Sequence, residues 1–154
     1  MEIERKFLVN EVPGAAHTAP VAVLRQGYLA IGPDSEARVR EASGEYTLTV
    51  KSVGTLSRDE YEVALTDGQF EALWPATVGR RVEKCRYRLD ASGATIELDV
   101  YEGDLAGLIV AEVEFASESA AREFDPPEWF GDEVTADPRY KNASLALDGR
   151  PAQP

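Results

Sequence analysis

Charged residues recur in pairs two positions apart along this chain, each pair interleaved with apolar residues. In the opening "EIERKF", an extended backbone sends Glu2, Glu4 and Lys6 to one side. Ile3, Phe7 and Val9, with Arg5 among them, go to the other. The alternation returns in Arg38 and Arg40 of "EARVREA", in Thr47, Thr49 and Lys51 of "YTLTVK", and in Arg58, Glu60 and Glu62 of "SRDEYEVAL". It continues in Lys84, Arg86 and Arg88 of "RVEKCRYRL", in Glu97 and Asp99 of "IELDVY", and in Glu112 and Glu114 of "AEVEF". Together with "LRQGYLA", which offers Gln26 and Tyr28 on one side, these segments predict strands near 1–10, 22–31, 36–43, 45–53, 57–66, 80–90, 94–102 and 108–116.

Short connections at Ser43-Gly44-Glu45, at Ser92-Gly93 and over 103–107 favour antiparallel pairing of neighbours. Three segments read as helices. "TDGQFEALWP" carries a capping box from Thr66 to Gln69, an apolar face of Phe70, Leu73 and Trp74, and Pro75 as its end. "SESAAREF" is a second, short one. "DPRYKNASLALDG" is the third, with Asp137 as N-cap, Pro138 in the first turn, Gly149 beyond its end, and Tyr140, Ser144 and Leu147 on one side.

The strand faces opposite the charges are apolar, carrying Ile3, Phe7, Val39, Leu48, Val50, Tyr61, Val63, Cys85, Tyr87, Ile96, Leu98, Val113 and Phe115. Helices are expected to cover that face. Such a sheet can belong to a sandwich, an open sheet or a closed barrel. A merely solvated outer face would mix in Ser, Thr, Asn and Gln, whereas here nearly every strand carries a charged pair. A mainly β fold with flanking helices, closed into an eight-stranded antiparallel barrel with its ionic side inward, gathers these charges around one cavity. That cavity suits a polyanion held with divalent cations, its bases taking phosphate oxygens and its carboxylates the metals.

Composition narrows the alternatives. With 154 residues, 44% hydrophobic and 29% charged, a single domain over 1–150 with a frayed tail at 151–154 is expected. A net charge of −12 argues against nucleic acid or an anionic membrane as partner. The lone cysteine excludes an internal disulfide, and the lone histidine, His17 in an Ala/Pro-rich loop, excludes a multi-histidine zinc site. Cys85 is flanked by Lys84 and Arg86, cations of the kind that lower a thiol pKa; a small residue packed under a helix is the plainer expectation. No apolar run approaches the ~18 residues of a membrane span, and the charged opening is unlike a signal peptide, so a cytoplasmic protein is expected.

"EIERKF" resembles the E-x-E-x-K signature of the triphosphate tunnel metalloenzymes, or CYTH superfamily. The resemblance continues in order through "RVR", "TVK", "YEVAL", "KCRY", "IELDVYEG", "AEVEF" and "YKNASLA", covering about 1–147. It implies an eight-stranded antiparallel tunnel with a C-terminal plug helix, binding triphosphates with two Mg²⁺ or Mn²⁺ ions. By the same resemblance Glu2 and Glu4, Glu60 and Glu62, Asp99, and Glu112 and Glu114 are metal-binding candidates. Lys6, Arg38, Arg40, Lys51, Lys84, Arg86 and Lys141 are phosphate-binding candidates. Lys6 and Tyr28 resemble a catalytic dyad of the short bacterial tripolyphosphatases. The implied activity is hydrolysis of a small triphosphate by metal-activated water, with inorganic tripolyphosphate as substrate, in a monomer or homodimer. Thiamine or nucleoside triphosphatase, class IV adenylyl cyclase and a non-catalytic polyphosphate- or nucleotide-binding module are the alternatives. The signature starts at residue 2 and no polyphosphate-associated helical domain is attached, so a role with long-chain polyphosphate is not expected.

Overall fold

The computed structural model describes residues 3–52 and 59–152. Among the described residues, strands form at β1 (Ile3–Val9), β2 (Val21–Ile31), β3 (Ser35–Ala42), β4 (Glu45–Ser52), β5 (Glu60–Leu65), β6 (Arg81–Ala91), β7 (Ala94–Tyr101), β8 (Ile109–Phe115) and β9 (Phe130–Glu133). They join one antiparallel sheet of nine strands in the order β5-β4-β3-β2-β6-β7-β8-β1-β9. The eight expected strands are present; the ninth was not expected, and it changes the architecture. β9 takes the second edge of β1, pairing Phe7 with Glu133 and Val9 with Phe130. The Lys6 carbonyl then accepts from the Val134 amide at 2.8 Å. β5 and β9 are thus the two ends of the order, and among the described residues no strand pairing joins them, so hydrogen bonds do not close a barrel.

Two connections are set by local chemistry. Ser43 and Gly44 (φ 49° and 84°), like Ser92 and Gly93 (φ 53° and 75°), make two-residue links whose double positive φ matches strand twist. Elsewhere Gly27 of β2 lies so close to Thr77 that a Cβ would stand 2.5 Å from the threonine Cβ. Only glycine lets the segment after the first helix press against β2.

That helix, α1 (Asp67–Leu73), has the expected capping box from Thr66 to Gln69. Pro75 does not end it outright but opens a 3-10 turn, Trp74–Thr77. Phe70 is fully buried, 5.1 Å from the Tyr46 ring and 5.2 Å from Trp74. α2 (Glu118–Glu123) starts at Ser117, whose hydroxyl accepts from Ala120 N–H. It packs on the outer face of β1 and β8 in a core of Phe7, Ile96, Leu98, Val113 and Phe124. Arg5, the cation on that apolar side, pairs with Glu133 of β9 at 2.6 Å and donates to the Ala121 carbonyl at 2.8 Å. It thereby ties α2 and β9 to β1.

The expectation that helices cover the whole apolar face is corrected at β5 and β2. Tyr61 is 66% exposed, Val63 54% and Val23 55%. α1 reaches β3 and β4 but is too short to span the outer edge as well. The last helical segment also differs from expectation. Asp137 caps a 3-10 turn, Pro138–Tyr140, and Lys141 is extended before α3 (Asn142–Asp148) begins. The break resets the helical phase. Tyr140 and Leu145 are buried, while Leu147, expected on the Tyr140 side, is half exposed. Tyr140 and Leu145 join Val82, Tyr101, Leu105, Leu108, Val110 and Val134 in a second core, placed against the inner face of the sheet. No helix of the described residues is long and apolar enough to cross a membrane.

Candidate phosphate and metal site

Strand alternation delivers the charged residues to the concave side of the sheet. A cavity of about 550 Å³ there is lined by Glu4, Lys6, Tyr28, Arg38, Arg40, Lys51, Arg86, Glu112, Glu114 and Lys141, all expected from sequence. Its wall also includes Glu36, Ser52, Glu97, Asn142 and Ala143, which were not assigned a role. An adjoining space of about 500 Å³ is bounded by Glu4, Glu97, Glu112 and Glu114, with Arg88 at its side.

The charges are sorted along the sheet. Arg38 and Arg40 of β3 and Lys51 of β4 supply one side, where Glu36 stands opposite Lys51, and Lys141 adds a cation from the segment before α3. Glu97 of β7, Glu112 and Glu114 of β8 and Glu4 of β1 supply the other. Arg86 of β6 bridges them, 2.7 Å from Glu97, 2.8 Å from Asp99 and 3.9 Å from Glu112.

The acidic side is loaded with like charge. Register places Glu4 opposite Glu114 and Glu97 opposite Glu112. Facing carboxylates on neighbouring strands repel unless a cation lies between or beside them. Lys6 answers part of this, 3.4 Å from Glu112, with its Nζ also donating to the Tyr140 carbonyl at 3.2 Å. All these donors are oxygens, the ligand type that hard divalent cations prefer. Among the described residues no three His, Cys, Asp or Glu side chains converge into a ready-made cage. An ion here would therefore keep waters or take substrate oxygens, as Mg²⁺ does.

The basic side has the complementary excess. The Nε atoms of Arg38 and Arg40 are buried without a hydrogen-bond partner among the described residues. Burial, then the guanidinium groups of Arg38 and Arg86, push Arg40 below its ordinary pKa. An anion in the cavity would relieve both conditions.

Some expected residues lie elsewhere. Asp99, expected as a metal ligand, has no exposed surface, and both its oxygens are taken: Arg86 Nε donates to Oδ1 at 2.8 Å and Lys84 Nζ to Oδ2 at 2.8 Å. Burial alone would raise its pKa, but Lys84 and Arg86 outweigh that and hold it below the usual carboxylate range. In this structure the carboxylate expected to hold a metal is paired with two cations instead. Lys84, expected on the phosphates, is 1% exposed and does not reach the cavity wall; it faces Asp99 and sits 5.2 Å from the Tyr101 ring centroid. Glu60 and Glu62 are opposite Lys51 and Thr49, hence on the cavity face, but they are exposed on edge strand β5 and do not line the cavity. Glu2 lies outside the described residues.

Tyr28 is 1% exposed, and its hydroxyl accepts from Gln26 Nε2 at 3.0 Å. Burial raises its pKa, partly countered by Arg38. Among the described residues no hydrogen bond joins Lys6 to Tyr28, although both line the cavity. Glu97 was visible in sequence as the partner of Asp99 two positions on; its register with Glu112 is what brings it into the site.

Comparison with known proteins agrees with this geometry. The chain is 56% identical over 149 residues to an inorganic triphosphatase of Nitrosomonas europaea, covering 95% of this chain and 97% of that protein. It is 39% identical over 148 residues to an inorganic triphosphatase of Acetivibrio thermocellus, covering 94% and 92%. A crystal structure of an inorganic triphosphatase superposes with a TM-score of 0.83 at 51% identity, covering 96% of this chain and 95% of that one. Residues 1–146 match the CYTH domain, and this chain belongs to the CYTH domain family.

Proposed function

We propose that this protein hydrolyses inorganic tripolyphosphate to pyrophosphate and phosphate with the help of a divalent cation. The observation that carries this reading is the sorting of one cavity into a side where the buried Nε atoms of Arg38 and Arg40 lack a hydrogen-bond partner among the described residues and a side of facing carboxylates. A linear triphosphate with its metal ions has the complementary two-sided charge. The relatives named as inorganic triphosphatases support the substrate.

In this reading Arg38, Arg40, Lys51, Arg86 and Lys141 bind the phosphates. Arginine does so bidentately, and lysine acts as a compact charge. Lys84 contributes from behind, through Asp99. Glu4, Glu112 and Glu114 would hold Mg²⁺ or Mn²⁺ with Glu97 beside them, and the resemblance adds Glu2, Glu60 and Glu62. Bound there, the cation neutralises charge on the phosphoryl oxygens and acidifies a nearby water. Phosphoryl transfer asks little covalent chemistry of a protein beyond positioning and charge stabilisation. Lys6 and Tyr28 orient the attacking water, whose oxygen bonds to a terminal phosphorus as the bridging P–O bond breaks and pyrophosphate leaves.

The test is phosphate release from tripolyphosphate, ATP, thiamine triphosphate and pyrophosphate, each with Mg²⁺, with Mn²⁺ and with excess chelator. Turnover is expected with tripolyphosphate and metal and should vanish with chelator. Binding without phosphate release would turn the protein into a binding module, and preference for another triphosphate would reassign the substrate.

A further inference from the structure

We propose that Gln26 is a positioning residue for Tyr28, fixing the direction in which the phenol presents its proton to the cavity. The inference rests on the reading above, in which the Tyr28 hydroxyl works at the reacting centre.

Gln26 sits two residues before Tyr28 on β2, on the same face, and is 1% exposed. A buried amide is costly unless it is hydrogen-bonded. Its Nε2 donates to the Tyr28 hydroxyl oxygen at 3.0 Å. Its Oε1 is buried and without a partner among the described residues. Val82 of β6 is its register partner on one side and Arg40 of β3 on the other, so the side chain is enclosed and cannot turn to water. A leucine at this position would fill the space without the unmatched oxygen. The one hydrogen bond that the amide makes is therefore the feature to explain.

That bond has a directional consequence. With Gln26 donating, the Tyr28 oxygen uses an acceptor site on the amide and its own proton must point elsewhere. Tyr28 lines the cavity, so the proton is directed to whatever acceptor stands there. Donation into a phenol oxygen also strengthens that phenol as a donor and stabilises it if it ionises. Gln26 does not itself line the cavity, so it acts through Tyr28, which does.

The experiment measures kcat and KM for tripolyphosphate with Mg²⁺ in wild type, Gln26→Met, Tyr28→Phe and the double variant. Methionine keeps the length of glutamine and removes the donor; Gln26→Leu serves if the methionine variant does not fold by thermal melting. The expected result is a fall in kcat of about tenfold for Gln26→Met, with KM within about twofold of wild type. On the Tyr28→Phe background the same change should cost nothing further, because the group it positions is gone. An equal loss on that background, a change confined to KM, or unaltered kcat in Gln26→Met while Tyr28→Phe is impaired would overturn the role of Gln26 and leave that of Tyr28 standing. Full turnover by Tyr28→Phe would instead remove the tyrosine from the mechanism, and the inference with it.

Discussion

At the Lys6 ammonium, two contacts define what a substitution would change: the Tyr140 carbonyl at 3.2 Å and Glu112 at 3.4 Å. If Lys6 only balances charge, Lys6→Arg should keep most of the activity. If it orients water together with Tyr28, arginine should fail nearly as badly as alanine, because a guanidinium holds its donors in a fixed plane and does not release a proton. The second outcome is expected, read as turnover at saturating substrate and metal; an arginine variant near wild-type rate would return Lys6 to the phosphate-binding set. Cys85 makes the same point about neighbours in sequence. Lys84 and Arg86 flank it, yet alternation sends them to the cavity side and leaves the thiol on the other, where Sγ donates to Glu102 Oε1 at 3.1 Å. Burial, with Glu102, pushes the thiol up from 9 to about 11. The reactive thiolate forms above the pKa, so alkylation should be slow at neutral pH and rise through about pH 11. A midpoint below that of a free thiol would mean that the two cations govern Cys85 after all.

Among the elements, α3 depends on contacts that no local pattern announces. Tyr101 of β7 donates its hydroxyl to Asn142 Oδ1 at 3.0 Å, joining the sheet to the first residue of α3. Tyr101→Phe should lower stability by about 1 kcal/mol, the usual net value of one hydrogen bond, checked by the urea midpoint. Because Lys141 and Asn142 line the cavity, the same variant should raise KM for tripolyphosphate. An unchanged KM would show that the position of α3 does not depend on this bond. The capping box of α1 was legible because Thr66 and Gln69 are three apart and need nothing else. The 137–149 segment was misread as one helix because its capping and apolar spacing are both helical, while the extended Lys141 between Tyr140 and Asn142 has no sequence marker. β9 escaped notice for a related reason: four residues, "FGDE", have little pattern of their own and become a strand by pairing with β1.

For the molecule as a whole, one cavity gathers Glu4, Glu36, Glu97, Glu112 and Glu114 with Lys6, Arg38, Arg40, Lys51, Arg86 and Lys141. Like charges facing each other on the acidic side and the unmatched Nε atoms of Arg38 and Arg40 on the basic side are both relieved by a metal-bound triphosphate. Tripolyphosphate with Mg²⁺ should therefore raise the melting temperature by linkage, by about 2.7 kcal/mol of added stability at a ligand concentration a hundredfold above Kd. Sulfate should give a smaller rise through the arginines alone. No shift with either ligand at such excess would mean that the cavity is not where triphosphate binds.

What the sequence determined by itself is the parity of each strand, and with it the membership of the charged face. Alternation is a property of the backbone, so "EIERKF", "AEVEF" and "KCRY" each declare which residues share a side wherever the strand ends up. What tertiary structure alone decided is which edges meet and how deeply each charge is buried. The open order of the sheet, with β9 added beyond β1 and β5 at the other end, is one such outcome. Asp99 and Lys84 carry the same parity as the cavity residues, yet they lie beneath Arg86 and bind each other. Both outcomes depend on curvature of the sheet and on segments far apart in the chain, which no local periodicity encodes.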